Sequence, residues 1–334
     1  VLSSDGRRAY ATDFKAILQF DLEQQIELDR IALESSPSAI ILSPDNKYLY
    51  AVDRYDAVLS VVDLAVQQEV RRTNTRREPF ALATSHDGQS LLVANSTDNT
   101  LSVFSSVSLQ EIATIPVGNH PVAVAVSLQS PYAYIGNAFS GDISVVDLIS
   151  QREIDRIQAN RNLRSIAVSP DAAFAYVTQG AVLSVIDLTT QQQIASIPAG
   201  NSPEEVVLSS DGNFAYVRFG ALGGRGVSII DLQAQELKAV IDTGKEPSAI
   251  AISKVSNQIF SLTATDHSTI TFDPESDTYM RSYPNGVQIH FNPDGTHDYT
   301  LEPDGRKTIY TYNADGSIAT MGIVPPGDNA PRWA

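Results

Sequence analysis

The sequence predicts an all-β fold, a seven-bladed β-propeller of four-stranded antiparallel blades. The first observation is a turn motif that recurs about every forty residues. It reads Leu2-Ser-Ser-Asp-Gly6, Leu42-Ser-Pro-Asp-Asn46, Thr84-Ser-His-Asp-Gly88, Val168-Ser-Pro-Asp-Ala172 and Leu208-Ser-Ser-Asp-Gly212, with worn copies at Val126-Ser-Leu-Gln-Ser130 and Ile252-Ser-Lys-Val-Ser256. The second is a signature about sixteen residues later: Phe20-Asp-Leu22, Val62-Asp-Leu64, Val146-Asp-Leu148, Ile186-Asp-Leu188 and Ile230-Asp-Leu232, worn at Phe104-Ser105 and Phe272-Asp273. Between its central positions, from Asp21 to Asp273, the steps are 42, 42, 42, 40, 44 and 42 residues. Short strands repeating at that period build one propeller blade per repeat.

The third repeat shows how each element arises. Pro79 to Ser85 is a short apolar run ended by His86-Asp87-Gly88, where Asp bonds nearby backbone and Gly takes a positive φ. Ser90 to Asn95 is a second strand ended by Ser96-Thr-Asp-Asn99, and Thr100 to Phe104 is a third. Glu111 to Pro116 is the fourth, its proline suited to an outer edge that needs no ladder donor. Nearly continuous apolar runs in the inner strands fit sheets packed on both faces by neighbouring blades. Val1 falls in the middle of a repeat, which predicts further chain upstream and a first blade short of part of its inner strand.

Composition narrows the function classes. The 334 residues carry 23 basic and 39 acidic side chains, a net charge of −16 that argues against binding nucleic acid or an anionic membrane. No stretch approaches the roughly 18 apolar residues of a membrane span. With no cysteine, disulfides, thiol catalysis and thiolate metal sites are excluded.

The second strand reads Tyr10-Ala-Thr-Asp13, Tyr50-Ala-Val-Asp53, Leu92-Val-Ala-Asn95, Tyr134-Ile-Gly-Asn137, Tyr176-Val-Thr-Gln179 and Tyr216-Val-Arg-Phe219. Gly-x-x-Pro precedes the inner strands at Gly118-Asn-His-Pro121, Gly200-Asn-Ser-Pro203 and Gly244-Lys-Glu-Pro247. Together with the Ser-Pro-Asp-Gly turn and Val-Asp-Leu, these residues resemble the YVTN family of β-propeller repeats over residues 1–283. That resemblance implies an extracytoplasmic bacterial protein (periplasmic, cell-surface or secreted), most members being binding or scaffold modules. Propellers of the same architecture include lactone hydrolases, quinone-cofactor dehydrogenases and a DNA-binding periplasmic protein, so the likeness implies fold more than activity.

The tail changes character. Turns at Tyr283-Pro-Asn-Gly286, Asn292-Pro-Asp-Gly295, Glu302-Pro-Asp-Gly305 and Asn313-Ala-Asp-Gly316 separate short strands, which predicts a β-meander over residues 284–322. Pro303 to Gly316 resembles a YD repeat of the Rhs type. Four such units could also make a degenerate eighth blade, but alternate polarity favours an appended meander. Residues 323–334 read as a linker or tail.

Chemistry is sparse. The repeated aspartates sit at turns and strand ends, where backbone capping explains them. No calcium loop, Gly-x-Ser-x-Gly, Walker loop or dinucleotide fingerprint occurs, so no catalytic residue, metal ligand or cofactor is predicted. Charge placement is more telling. Strands alternate direction, so the loops that lead into inner strands and the turns after second strands share one side, the mouth face. In this acidic chain that face gathers Lys15, Arg54, Arg76, Arg77, Arg161, Arg164, Arg218, Arg225 and Lys245. With Tyr55, His120, Glu204 and His267 beside Arg54, Arg77, Arg161, Arg164, Arg218 and Arg225, it is the candidate binding site. Tyr55, Phe139 and Phe219 are expected to add aromatic surface. Guanidinium forks suit carboxylates or phosphates, so the expected partner is a protein or a small anionic ligand. The expected function is non-enzymatic binding or scaffolding; a lactonase-like hydrolase or an oxidoreductase at the channel mouth is the alternative.

Overall fold

The computed structural model describes the chain apart from residues 23, 25, 222–223, 243–248, 253–258, 263–268, 274–277, 283–286, 293–296, 313–317, 327–331 and 334. Described residues form strands and turns, with no helix. Blades two to six are four-stranded sheets, each ordered inner to outer as the chain runs. Blade two, for example, is Ala39–Leu42, Tyr48–Asp53, Val58–Asp63 and Gln68–Asn74. Inner strands of successive blades are neighbours, from Ala39–Leu42 through Pro79–Thr84, Pro121–Val126, Ser165–Val168 and Pro203–Leu208 to Ala249–Ile252. The first sheet has three strands, with Leu2 adding a single bridge to Ala9. That is the short inner strand the sequence predicts.

Turn chemistry explains the aspartates. The Ser hydroxyl of each first turn donates to the aspartate two residues on, at 2.6 Å in Ser3–Asp5, Ser43–Asp45 and Ser85–Asp87. The same bond measures 2.5 Å in Ser169–Asp171 and Ser209–Asp211. It holds the carboxyls of Asp5, Asp45, Asp87 and Asp171 below their ordinary range. Asp63, Asp147, Asp187 and Asp231 accept backbone N–H groups two residues ahead. Every blade from one to six carries a register shift between its third and outer strands, at Gln19/Phe20, Val61/Val62, Val103/Phe104, Val145/Val146, Val185/Ile186 and Ile229/Ile230. The recurring Asp-Leu signature therefore marks a bulge and the turn after it.

The core lies between blades. Tyr10, Tyr50, Tyr134, Tyr176 and Tyr216 are buried, each contributing to an apolar cluster that joins neighbouring sheets. Burial pushes the Tyr176 phenol up to about 12. Polar side chains also bridge strands: Asn137 donates to Ser144 at 2.9 Å and to Asp142 at 2.8 Å, all three buried.

Blade seven differs. Ala249–Ile252 pairs with Ile259–Leu262, whereas Thr269–Asp273 and Thr278–Ser282 open a seven-stranded sheet that runs through the tail. Its further strands are Gln288–Phe291, His297–Leu301, Lys307–Tyr312, Ile318–Val324 and Arg332–Trp333, in consecutive antiparallel order. Thr278–Ser282 and Gln288–Phe291, on either side of residues 283/284, are adjacent strands of that one sheet. Phe291, 9% exposed, packs with Ile289 into the cluster of Tyr216, Val227 and Ile241 in blade six. Despite their alternating polarity, the tail strands thus reach the inter-blade core at these two apolar positions.

His290 stacks on Tyr299 at 4.0 Å and His297 lies over Tyr310 at 4.1 Å. Burial lowers the pKa of both imidazoles, so the folded sheet favours their neutral form. Their contribution is complete above the ordinary histidine pKa of about 6.5 and is lost as pH falls below it. Backbone amides of residues 288–291 and 297–301 should exchange faster, after correction for intrinsic rates, at pH 5.5 than at pH 7.5. Equal protection at both would contradict the burial of these rings.

Candidate functional site

The mouth face is built by two loop sets stacked on one another. The backbone N–H of Leu33, Thr75, Val117, Ala159 and Ala199, each after an outer strand, donates to Lys15, Ala57, Asn99, Gly141 and Ala181 respectively, in the same blade's turn after its second strand. The residue just ahead of the next inner strand then takes a positive φ at Glu78 (56°), His120 (59°) and Ser202 (55°), and Asn162 does so (66°) three residues ahead of Ser165–Val168. This repeated geometry fixes where the candidate side chains emerge.

Four of the arginines on this face are engaged by carboxylates. Arg54 pairs with Glu78, which also accepts from Thr97 at 2.7 Å. The Thr97 and Arg54 bonds hold the Glu78 carboxyl down to about 2. Arg76 bonds Glu111 at 3.1 Å, and Arg77 bonds Asp98 at 2.6 Å. Arg218, only 12% exposed, bridges Glu204 at 2.5 Å and Glu205 at 3.2 Å. The expected field of free guanidinium forks is thus largely neutralised, because each of these arginines, three in loops and Arg218 in the second strand of blade six, lies against an acid from a facing strand or turn. Arg161 and Arg164 differ: both are exposed, and neither has a carboxylate partner among the described residues. The side chain of Arg225, and His267 entirely, lie outside the described residues.

A continuous strip of planar groups crosses blades two, three and four. Tyr55 is 83% exposed, and the Arg54 guanidinium lies 5.5 Å from its ring and 4.8 Å from that of Phe80. Phe80 meets His120 at 6.4 Å, and His120 stacks on Phe139 at 4.1 Å with rings 10° from parallel. Phe139 is 62% exposed. Its turn adjoins the next loop, since Asn162 donates its N–H to the Ala138 carbonyl at 2.9 Å. A Cβ on Gly141 would come within 2.9 Å of the Arg161 backbone nitrogen. The strip therefore ends beside Arg161.

Phe80 was not legible as a surface residue, because it follows Pro79 inside an apolar run. Its signal is positional: the equivalent residues after Pro121 and Pro203 are Val122 and Glu204. Phe219 corrects the expectation of aromatic surface. It is 5% exposed, because the second strand of blade six extends to Ala221 and seats this ring against Gly200. Glu205 is the other departure. Its cross-strand partner is Arg218, where blades three and four pair Ala81 with Ala94 and Ala123 with Gly136. Burial raises its carboxyl although its side chain is 34% exposed, as expected for a group walled in by protein yet reached by water. Its carboxylate also accepts the Ile250 N–H at 3.2 Å, linking blade six to blade seven.

Among the described residues, no group of three His, Asp or Glu could hold a metal ion, and no helix is long and apolar enough to cross a membrane. A family model matches the first third of the chain. The Lactonase, 7-bladed beta-propeller family fits residues 9–126. Among solved structures, the chain is similar to Kuenenia stuttgartiensis hydrazine synthase, at 20% identity over 73% of each chain with a TM-score of 0.50, a likeness of fold alone. No curated protein matches the chain. These findings support the β-propeller; the likenesses to YVTN and YD repeats rest on the sequence residues.

Proposed function

We propose that the protein is a non-enzymatic recognition propeller that binds an anionic ligand or acidic partner on its mouth face. One observation carries this reading: a strip of planar groups with exposed terminal rings ends beside Arg161, which, like Arg164 in the same loop, no described carboxylate neutralises. Aromatic and arginine side chains are the types that dominate binding energy at recognition surfaces. The extracytoplasmic setting implied by the YVTN likeness belongs to the same proposal.

A short, labelled polyglutamate tests it. Its affinity should fall roughly tenfold in an Arg161→Gln, Arg164→Gln variant, the loss expected for one charge-assisted hydrogen bond. It should also weaken as salt rises past physiological strength, where screening lengths drop below about 8 Å. Binding indifferent to both changes would refute the site.

A lactonase-like enzyme is the second reading. It draws on the family match and on the Glu204–Arg218–Glu205 cluster, where a carboxyl raised by burial could exchange protons. Turnover of a lactone panel that Glu205→Gln abolishes without unfolding the protein would favour it.

A further inference from the structure

We propose that the mouth face takes an extended polypeptide segment whose ring-bearing or apolar residues lie on the strip and whose adjoining carboxylates reach Arg161 and Arg164. This rests on the reading of that face as a recognition surface. The two terminal rings of the strip stand open to solvent, 83% and 62% exposed. Small-molecule sites are clefts that enclose their ligand. Two grooves of 590 and 610 Å³ do occur, but they lie between outer strands of blades one to three, lined by residues such as Arg71, Arg72 and Glu69.

The order of chemistry along the strip selects the segment. Glu78, ionised down to about pH 2, holds Arg54 between two rings, so Arg54 presents a flat cationic face and its fork is already engaged. Only the far end, at Arg161 and Arg164, offers forks without a described acid. Successive contacts of 5.5, 4.8, 6.4 and 4.1 Å limit the strip to about 20 Å, the reach of roughly six extended residues. The partner is therefore apolar over most of this length and acidic at one end. A long polyanion fits poorly: the protein's net charge of −16 repels it everywhere beyond that short basic end.

Selection of a random-peptide display library on the intact protein tests this. A Tyr55→Ser, Phe139→Ser variant and an Arg161→Gln, Arg164→Gln variant serve as counter-targets, each first checked for an unchanged melting temperature. The expected result is enrichment of peptides that place aromatic, proline or aliphatic residues next to Asp or Glu. Each enriched peptide, resynthesised and labelled, should bind at least roughly tenfold more weakly to either variant, and oligogalacturonate should not compete. Enriched peptides that bind the Tyr55/Phe139 variant unchanged would overturn the proposal, as would a library that yields no enrichment. Tyr55-dependent binding of oligogalacturonate would replace the polypeptide with an acidic glycan. If the enriched peptides depend on Arg161 and Arg164 but not on the rings, this inference falls while the recognition reading stands.

Discussion

Tyr216→Ala is expected to lower the free energy of unfolding by about 3–5 kcal/mol, the range for large aromatic truncations in a close-packed core. Tyr216 is fully buried among Val227, Ile229, Ala239, Ile241, Ile250 and Phe291, which come from blade six, blade seven and the tail. Removing the ring leaves a cavity that strands anchored on three sides cannot collapse to fill. Because Phe291 belongs to the same cluster, residues 288–291 should lose amide protection along with blade six. Tyr55→Ala, at an 83% exposed position, should change stability by less than about 0.5 kcal/mol. Urea titration of the pair checks both values; a Tyr216→Ala loss under about 1 kcal/mol would mean that the site repacks.

Arg218→Ala is expected to be the next most damaging change, costing about 2–4 kcal/mol. Breaking one side of a buried ion pair costs about 3–5 kcal/mol, reduced here because water reaches Glu204 and Glu205. Without the guanidinium two carboxylates face each other, and Glu205 is already raised by burial. A carboxyl raised in the folded state binds its proton more readily there than in the unfolded chain. The variant's stability should therefore fall as pH rises through that raised value, so the deficit is larger at pH 8 than at pH 5. Glu205→Ala combined with Arg218→Ala recreates the small pair that blade three makes with Ala81 and Ala94, and should recover most of the loss. Equal deficits in the single and double variants, measured by denaturation, would show that packing rather than charge holds this corner.

These two sites mark where the sequence could and could not be read. Blade number, strand order and turn aspartates were legible because each depends on contacts within a few residues, as in Ser85 to Asp87. The continuation of the seventh sheet into the tail was not. Strand pairing across 283/284 is a tertiary choice, and the alternating polarity of Gln288–Phe291 hid Phe291 as a core residue. The mouth-face arginines were assigned a side of the ring by strand direction alone. Their neutralisation was invisible, because partners such as Arg54 and Glu78, or Arg77 and Asp98, lie more than twenty residues apart. Loop charge counts give position but not pairing. The strip from Tyr55 to Phe139 was likewise hidden, since it joins one residue or two from each of three repeats.

Hydroxyl-radical footprinting of the protein with a bound acidic peptide tests the central claim most directly. Tyr55 and Phe139 on the mouth face and Ile149 on the opposite face are all well exposed in the free protein, at 83%, 62% and 80%. Recognition on the mouth face predicts that the peptide protects Tyr55 and Phe139 from oxidation and leaves Ile149 unchanged. Protection of Ile149, with Tyr55 and Phe139 oxidised as in the free protein, would contradict it.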